Sequence, residues 1–135
     1  MPPTGFSPDQ SKDSAEENIG PYYVKYSPAL KNTGMISLPR HSNNMGSVHG
    51  GVLMTFADFS FCAFARDGST DAHILTVSLT TNFVHAAPVN AWLIGDGEIV
   101  RRTRSLVFVR GSLYHENEIL LTYNGVGKRI FQKNQ

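Results

Sequence analysis

A histidine, two glycines and an isolated aspartate are the residues whose types and spacing could do chemistry in this sequence. His49, Gly50 and Gly51 are consecutive, and Asp58 follows nine positions after the histidine in an otherwise apolar run. A carboxylate can act as a nucleophile or as a general base toward water. Gly50 and Gly51 would stand at a helix start with unpaired backbone N–H groups, which can polarise a carbonyl oxygen or bind an anion, and glycine lets a ligand approach the backbone closely. The combination indicates a site that attacks a polarised carbonyl group.

These residues lie in one predicted helix. Residues 49 to 66 are mostly Gly, Val, Leu, Met, Phe and Ala without a proline, and Asp67 and Gly68 are an end signal. Apolar residues cover nearly the whole circumference, so we expect the helix to be buried on most sides. The run is shorter than a membrane span and carries Asp58 near its centre, which predicts no membrane insertion.

Helix geometry places His49 and Asp58 too far apart to act together within one chain. Nine residues of α-helix turn through about 900° and rise about 13.5 Å, so His49 and Asp58 face opposite ways. An antiparallel pair of helices from two subunits would bring the start of one beside the middle of the other. Two simpler interpretations remain open: Asp58 is a buried aspartate satisfied by local donors, and His49 only caps the helix.

The rest of the chain predicts one sheet around this helix. Period-two alternation after the helix predicts four strands with short connections, which favours an antiparallel meander, and two strands precede the helix. The resulting fold class is α+β, a curved antiparallel sheet wrapped around one long hydrophobic helix. The predicted strands cover residues 21–26, 34–38, 74–85, 91–101, 105–114 and 119–131.

The 135 residues predict a single domain over residues 21–135, preceded by a flexible leader over residues 1–20. Within the leader, Ser14 and Glu17 could cap one helical turn. A formal net charge of +1 argues against nucleic acid as a partner. Cys62 is the single cysteine, which excludes an intramolecular disulfide, and with no signal peptide in view we expect a cytoplasmic protein. The five histidines are scattered without metal-ligand spacing, so no metal site is predicted.

Residues 35 to 131 resemble the PaaI-like branch of the hotdog-fold acyl-CoA thioesterases, relatives of 4-hydroxybenzoyl-CoA thioesterases. A second stretch, from Thr76 to Pro88, resembles the family's strand that enters with a hydroxyl residue and ends in a Phe-x-x-x-Ala-Pro-like turn. The family's main motif is an Asn, a Gly, His-Gly-Gly and an acidic residue nine positions after the His. Its matches here are Asn43, Gly46, His49, Gly50, Gly51 and Asp58.

The resemblance implies a hydrolase mechanism. The Gly50 N–H would polarise the thioester carbonyl, and Asp58 of the neighbouring subunit would act as nucleophile or as general base toward water. Asn43 would hold the water or the substrate carbonyl, and His49 would order the loop and could contact the thioester. Thr76 falls where relatives place a hydroxyl near the attacking water.

The resemblance also implies the ligand and the assembly. Coenzyme A enters as part of the acyl-CoA substrate, with no separate cofactor, and the minimal active unit is a homodimer, expected to form a homotetramer. Arg104, Arg102 and Arg101 could grip the coenzyme A phosphates, because guanidinium groups suit phosphate. These three arginines could equally form a solvated hairpin.

Two other functions on the same fold remain open. One is an acyl-thioester hydratase or dehydratase, and the other is a non-catalytic acyl-CoA-binding protein. The spacing of the His-Gly-Gly motif and Asp58 favours hydrolysis over both. The preferred acyl group, aryl or short-to-medium chain, is not determined by the sequence.

Overall fold

The computed structural model describes residues 2–66, 69 and 72–131. Within these residues, no helix is long and apolar enough to cross a membrane. A 3-10 turn lies at Pro39–His41. The helices and strands, in chain order, are β1 (Ser7–Pro8), α1 (Ser14–Ile19), β2 (Tyr22–Tyr26), β3 (Leu30–Ile36), α2 (Gly50–Arg66), β4 (Ala72–Phe83), β5 (Trp92–Gly95), β6 (Glu98–Arg102), β7 (Leu106–His115) and β8 (Glu118–Phe131).

The strands form one antiparallel sheet around helix α2. Their order across the sheet is β1-β2-β3-β5-β7-β8-β4, and β6 pairs with β7 off this path. Helix α2 packs against strands β3, β4, β6, β7 and β8. The predicted architecture, a curved antiparallel sheet around one hydrophobic helix, is confirmed.

The predicted meander is wrong about strand β4. It pairs with β8, from Ala72 opposite Phe131 to Phe83 opposite Leu121, and not with β5. The connection after β4 crosses the end of the sheet, where the Val84 N–H donates to the Leu120 carbonyl at 2.8 Å. Period-two alternation identifies strands but not their partners. The other edge of β4 pairs with no strand among the described residues.

The strand predicted over residues 91–101 is in fact two strands, β5 and β6, separated by Asp96 and Gly97. The Asp96 N–H donates to the Ser112 carbonyl, and the Ser112 N–H donates to the Asp96 carboxylate at 2.7 Å. A Cβ on Gly97 would lie 2.6 Å from the Phe64 ring. The chain therefore bends where the backbone meets the helix too closely for a side chain.

The first twenty residues include a strand and a helix. Asp13, not Ser14, caps helix α1, because its carboxylate accepts the Glu16 N–H at 3.1 Å. The Arg40 guanidinium donates to the carbonyl oxygens of Asn18 and Gly20. These bonds attach the segment to the domain; its flexibility in solution stays a prediction.

The core lies between helix α2 and the sheet. Phe56, Phe59 and Phe61 are fully buried, and each contributes roughly 1.5–3 kcal/mol by leaving water. A Cβ on Gly125 or Gly127 of β8 would lie 2.9 Å or 3.1 Å from the Phe61 ring. The two glycines therefore let the helix approach the sheet.

A buried polar contact fixes the helix against strand β3. Thr33 Oγ1 and Ser60 Oγ lie 2.7 Å apart, and both residues are fully buried. A Cβ on Gly95 would lie 2.2 Å from Thr33 Oγ1, so the pair occupies space that glycine provides. Because Ser60 comes two positions after Asp58, this bond helps set the rotation of the helix.

We predict that Thr33→Val lowers the free energy of unfolding by about 1–3 kcal/mol, because it leaves the Ser60 hydroxyl buried without a partner. Ser60→Ala should cost a similar amount. The double variant should lose less than the sum of the two single losses, as measured by urea denaturation. Additive losses would contradict the coupling.

Candidate functional site

Asp58 lies near the middle of helix α2 and is half-buried. Its Oδ1 atom accepts a hydrogen bond from Thr76 Oγ1 at 2.7 Å. Its Oδ2 atom accepts none from any described residue. The structure therefore brings together Asp58 and Thr76, two of the predicted site residues, and leaves one carboxylate oxygen available to a ligand or water.

Thr76 lies at an irregularity in strand β4. The register with β8 shifts between Thr76 and Ser78, which marks a β-bulge. Thr76 Oγ1 also lies 3.5 Å from Cys62 Sγ, one helical turn beyond Asp58. The threonine thus stands between a carboxylate and a thiol.

Cys62 completes this cluster as a weakly acidic thiol. Burial raises its pKa to about 12, with the Asp58 charge as the next cause, while the Thr76 hydrogen bond lowers it. A thiol with this pKa is almost entirely protonated at neutral pH and is a poor nucleophile. Of the three side chains, only Asp58 therefore offers a group that could serve as a nucleophile or a base at neutral pH.

The start of helix α2 is capped by His49. Its Nδ1 atom accepts the Gly51 N–H at 2.8 Å, which assigns the ring proton of the neutral form to Nε2. The sequence predicts unpaired N–H groups at both Gly50 and Gly51; for Gly51 this is wrong. The Gly50 N–H makes no hydrogen bond to a described residue. The available donor at the positive end of the helix is Gly50 alone.

Phe83, at the end of strand β4, flanks this donor. A Cβ on Gly50 would lie 3.5 Å from the Phe83 ring, which is 56% exposed. The Phe83 ring therefore lies beside the first turn of helix α2.

The Asn43 side chain organises the loop that precedes the helix. Its Oδ1 atom accepts the N–H groups of Met45 at 2.8 Å and Ser47 at 3.2 Å, and its Nδ2 donates to Ser47 Oγ. Gly46 takes a φ of +86°, which favours glycine within this turn. The predicted contact between Asn43 and a water or substrate stays a prediction.

The three arginines that were predicted to bind phosphates lie towards the C-terminal end of helix α2, away from Gly50. Arg101 pairs with the outward-facing Phe108 and Arg102 with the buried Val107, so the two side chains point to opposite faces. The Arg102 guanidinium donates to the Ala65 carbonyl at 3.3 Å, near the end of helix α2. Arg104 is exposed in the turn between β6 and β7. Their predicted role toward phosphates stays a prediction.

A cleft of about 640 Å³ opens at Asp58. One wall comes from helix α2 and strand β4, and the other comes from the N-terminal segment, which the sequence analysis did not place in the site. Only the helix-capping pattern near Ser14 hinted at order there. Its lining residues are Ser11, Lys12, Asp13, Glu16, Asp58, Phe59, Cys62, Arg66, His73, Ile74, Leu75 and Thr76.

Gly50 and Asp58 do not meet within one chain. Eight residues of helix separate them by about 12 Å along the axis, and Gly50 does not line the cleft at Asp58. Among the described residues, no three His, Cys, Asp or Glu side chains are grouped to hold a metal ion.

Comparison with known proteins assigns the chain to a family. A family model described as the thioesterase superfamily matches residues 45–122, which include Gly50, Asp58 and Thr76. A Pseudomonas aeruginosa protein assigned provisionally as an esterase is 24% identical over 128 residues, covering 92% of this chain and 94% of its own. The predicted resemblance is thereby confirmed.

Two solved structures share the fold. A variant of the phenylacetic acid degradation protein PaaI from Thermus thermophilus has a TM-score of 0.75 at 18% identity, covering 87% of this chain and all of its own. A hypothetical thioesterase from Streptococcus pneumoniae, solved with coenzyme A, has a TM-score of 0.70 at 15% identity, covering 97% of this chain and 93% of its own. The similarity confirms the predicted hotdog fold.

The alkylation rate of Cys62 tests the contacts among Asp58, Thr76 and Cys62 without a substrate. We predict that Asp58→Asn speeds alkylation of Cys62 at pH 9, because removing the carboxylate charge lowers the thiol pKa. Thr76→Val should slow it, because the hydrogen bond that lowers the pKa is lost. Mass spectrometry of the iodoacetamide reaction measures both rates, with the urea-unfolded chain as the reference. An alkylation rate that rises in both variants, or falls in both, would contradict the placement of Thr76 between Asp58 and Cys62.

Proposed function

Since the chain belongs to the thioesterase superfamily, we propose that it hydrolyses the thioester bond of an acyl-CoA to a carboxylic acid and coenzyme A. The observation that carries the proposal is the pairing of Asp58 with Thr76 at the wall of a cleft. Thr76 holds one carboxylate oxygen, and the other is aimed where a water or a carbonyl carbon can sit.

Asp58 acts as a general base in the simpler form of the reaction. A water attacks the thioester carbon as Asp58 takes its proton, and the carbonyl π electrons move onto the oxygen. Collapse of this oxyanion expels the coenzyme A thiolate, which takes the proton back from Asp58. In the alternative form Asp58 attacks the thioester carbon and expels the coenzyme A thiolate. Water then hydrolyses the resulting anhydride, which releases the acid, regenerates the Asp58 carboxylate and supplies the proton that the thiolate takes up. Thr76 orients the carboxylate in both.

The Gly50 N–H stabilises the oxyanion. It is a donor at the positive end of a 17-residue helix, and its own chain leaves it without a partner among the described residues. A preorganised backbone donor of this kind favours the charged transition state over the neutral substrate. The His49 ring keeps the Gly51 N–H occupied, which leaves Gly50 as the donor that meets the oxygen.

The reaction needs two chains, because Gly50 and Asp58 lie at separate points of one helix. Strand β4 supports this requirement, since its edge away from β8 pairs with no strand among the described residues, and four large apolar residues in the strand or directly after it are between 55% and 61% exposed. Pairing of two such edges about a two-fold axis would cover them and place the two α2 helices antiparallel. The four residues are Leu75, Val77, Phe83 and Val84.

Coenzyme A supplies the leaving group. A structural neighbour was solved with coenzyme A, which supports a site for it on this fold. We assign the phosphate contacts to Arg104, which is exposed, and to Arg102, whose guanidinium also contacts Ala65. Arg101 points to the opposite face of the strand from Arg102 and is left out of this assignment. The proposal requires no prosthetic group or metal ion.

We predict that Asp58→Asn lowers kcat by about 10²–10⁴-fold with little change in KM, because it removes the base but keeps the shape of the side chain. Thiol release from a panel of short, medium and aryl acyl-CoAs measures it. Glu98→Gln, which removes an exposed carboxylate on the outer face of the sheet, is the control and should retain full activity.

The same assay separates the alternative functions. Full turnover by Asp58→Asn would refute the mechanism. Binding of acyl-CoA without thiol release would favour a non-catalytic binding protein, and loss or gain of the enoyl absorbance without thiol release would favour a hydratase or dehydratase.

Subunit mixing tests the shared site. We predict that Asp58→Ala and Asn43→Ala chains, each inactive alone, regain about a quarter of the wild-type activity after exchange, because half of the dimers are mixed and each carries one intact site. Native mass spectrometry must show the mixed dimers. Mixed dimers without activity would contradict the two-chain site.

A further inference from the structure

The loop that leads into helix α2 is closed by a buried histidine. His41 is 2% exposed, and its carbonyl accepts the His49 N–H at 2.8 Å. Between these two residues, Ser42 pairs with Val48 in an isolated antiparallel bridge, and Met45 near the tip of the loop is 86% exposed. The loop therefore has an exposed tip, and its two ends meet at the backbone of His41 and His49.

Both nitrogen atoms of the His41 ring bind backbone groups. The Nδ1 atom accepts the Leu38 N–H at 2.9 Å, which assigns the ring proton of the neutral form to Nε2. The Nε2–H then donates to the Ile19 carbonyl, at the end of helix α1. Burial lowers the pKa of this histidine, the Ile19 hydrogen bond raises it by less, and the Arg40 charge lowers it further. The ring is therefore neutral at pH 7, and the neutral ring satisfies both contacts at once.

These two contacts fix the position of the His41 backbone. Rotation of the ring would break both hydrogen bonds, and the ring is buried, so water could not replace them at the ring nitrogens. The side chain is thus held at one end by the N-terminal segment and at the other by the 3-10 turn. The carbonyl that binds His49 is held in place with it.

His49 connects this contact to the first turn of helix α2. Its carbonyl accepts the N–H groups of Val52 at 2.9 Å and Leu53 at 3.1 Å. The Gly50 N–H belongs to the same planar peptide unit as that carbonyl, so the two groups have a fixed relative direction. The direction of the Gly50 N–H is therefore set by the bonds that hold His49, and the bond from the His41 carbonyl is the one that comes from outside the helix.

We propose that His41 is a positioning residue for the proposed thioester hydrolysis, which holds the Gly50 N–H in the direction that stabilises the oxyanion. The inference rests on that proposed function and adds to it a residue that does not line the cleft at Asp58. A backbone donor contributes fully only when its direction is fixed before the oxyanion forms. Its loss therefore lowers kcat more than it changes KM, because the donor favours the charged transition state over the neutral substrate.

Two variants each remove one contact of the ring. His41→Asn keeps an acceptor for the Leu38 N–H but is too short to reach the Ile19 carbonyl. His41→Gln keeps a donor for the Ile19 carbonyl but lacks the acceptor at Nδ1. We expect each to lower kcat by about tenfold, less than the roughly 10²–10³-fold loss on complete removal of such a donor, while KM changes by less than about twofold. Thiol release from the acyl-CoA that the wild type hydrolyses best measures both constants.

Gly50→Pro tests whether His41 acts through the donor. Proline removes the N–H and suits the first position of a helix, where no intrahelical donor is needed. A Cβ at Gly50 would lie 3.5 Å from the Phe83 ring, which is ordinary contact. We expect Gly50→Pro to lower kcat by about 10²-fold, and the addition of His41→Asn to lower it by less than about a further twofold. A role of His41 in stability alone would instead give losses that multiply.

Arg40→Gln is the matched control from the same 3-10 turn. The Arg40 guanidinium donates to the carbonyl oxygens of Asn18 and Gly20, on either side of Ile19. Its removal weakens the attachment of the N-terminal segment but leaves both bonds of the His41 ring. We expect a lower midpoint of urea unfolding, with kcat within about twofold of the wild-type value.

The outcomes distinguish this inference from the function on which it rests. Absence of thiol release by the wild type from every acyl-CoA would refute the hydrolase itself. Full activity of Gly50→Pro would refute the donor role of Gly50, and the inference with it. Wild-type kcat in folded His41→Asn and His41→Gln, or losses that multiply in the double variant, would refute the role of His41 alone. Failure of both His41 variants to fold would assign His41 to stability and would also overturn the inference.

Discussion

One carboxylate within a buried helix is the constraint on which the rest of the structure depends. Helix α2 must be apolar on almost every side to fill the curve of the sheet, yet Asp58 interrupts that surface. The charge is tolerated because Thr76 donates to one oxygen and a cleft reaches the other. The bulge in β4, the rotation of the helix and the Thr33–Ser60 bond all serve this placement.

Helix α2 carries two different functional groups at separate positions along its axis. Its first turn offers a backbone donor at Gly50, and its middle offers a carboxylate at Asp58. Separation along the axis prevents the two from reacting with one ligand in one chain. In the function proposed above, association of two subunits completes the site, because one chain alone does not bring Gly50 and Asp58 together.

Local sequence patterns predicted those elements whose structure is determined by residues close together in the sequence. The helix was visible from its uninterrupted apolar run, and the spacing of His49 and Asp58 along it followed from helix geometry. Resemblance to a family added Thr76, which no local pattern identifies. The split at Asp96 was missed because the bend depends on contacts with the helix and with Ser112, which are distant in sequence. The wall of the cleft that the N-terminal segment forms was missed for the same reason.

The pairing of β4 with β8 has a consequence for the order in which the molecule can form during synthesis. Strand β8 lies between β4 and β7 in the sheet but is made after both. Until it emerges from the ribosome, β4 has no neighbouring strand and Thr76 has no sheet to hold it against Asp58. Pairings between distant segments form slowly. During synthesis, β4 must therefore avoid pairing with other segments or other molecules until β8 has been made.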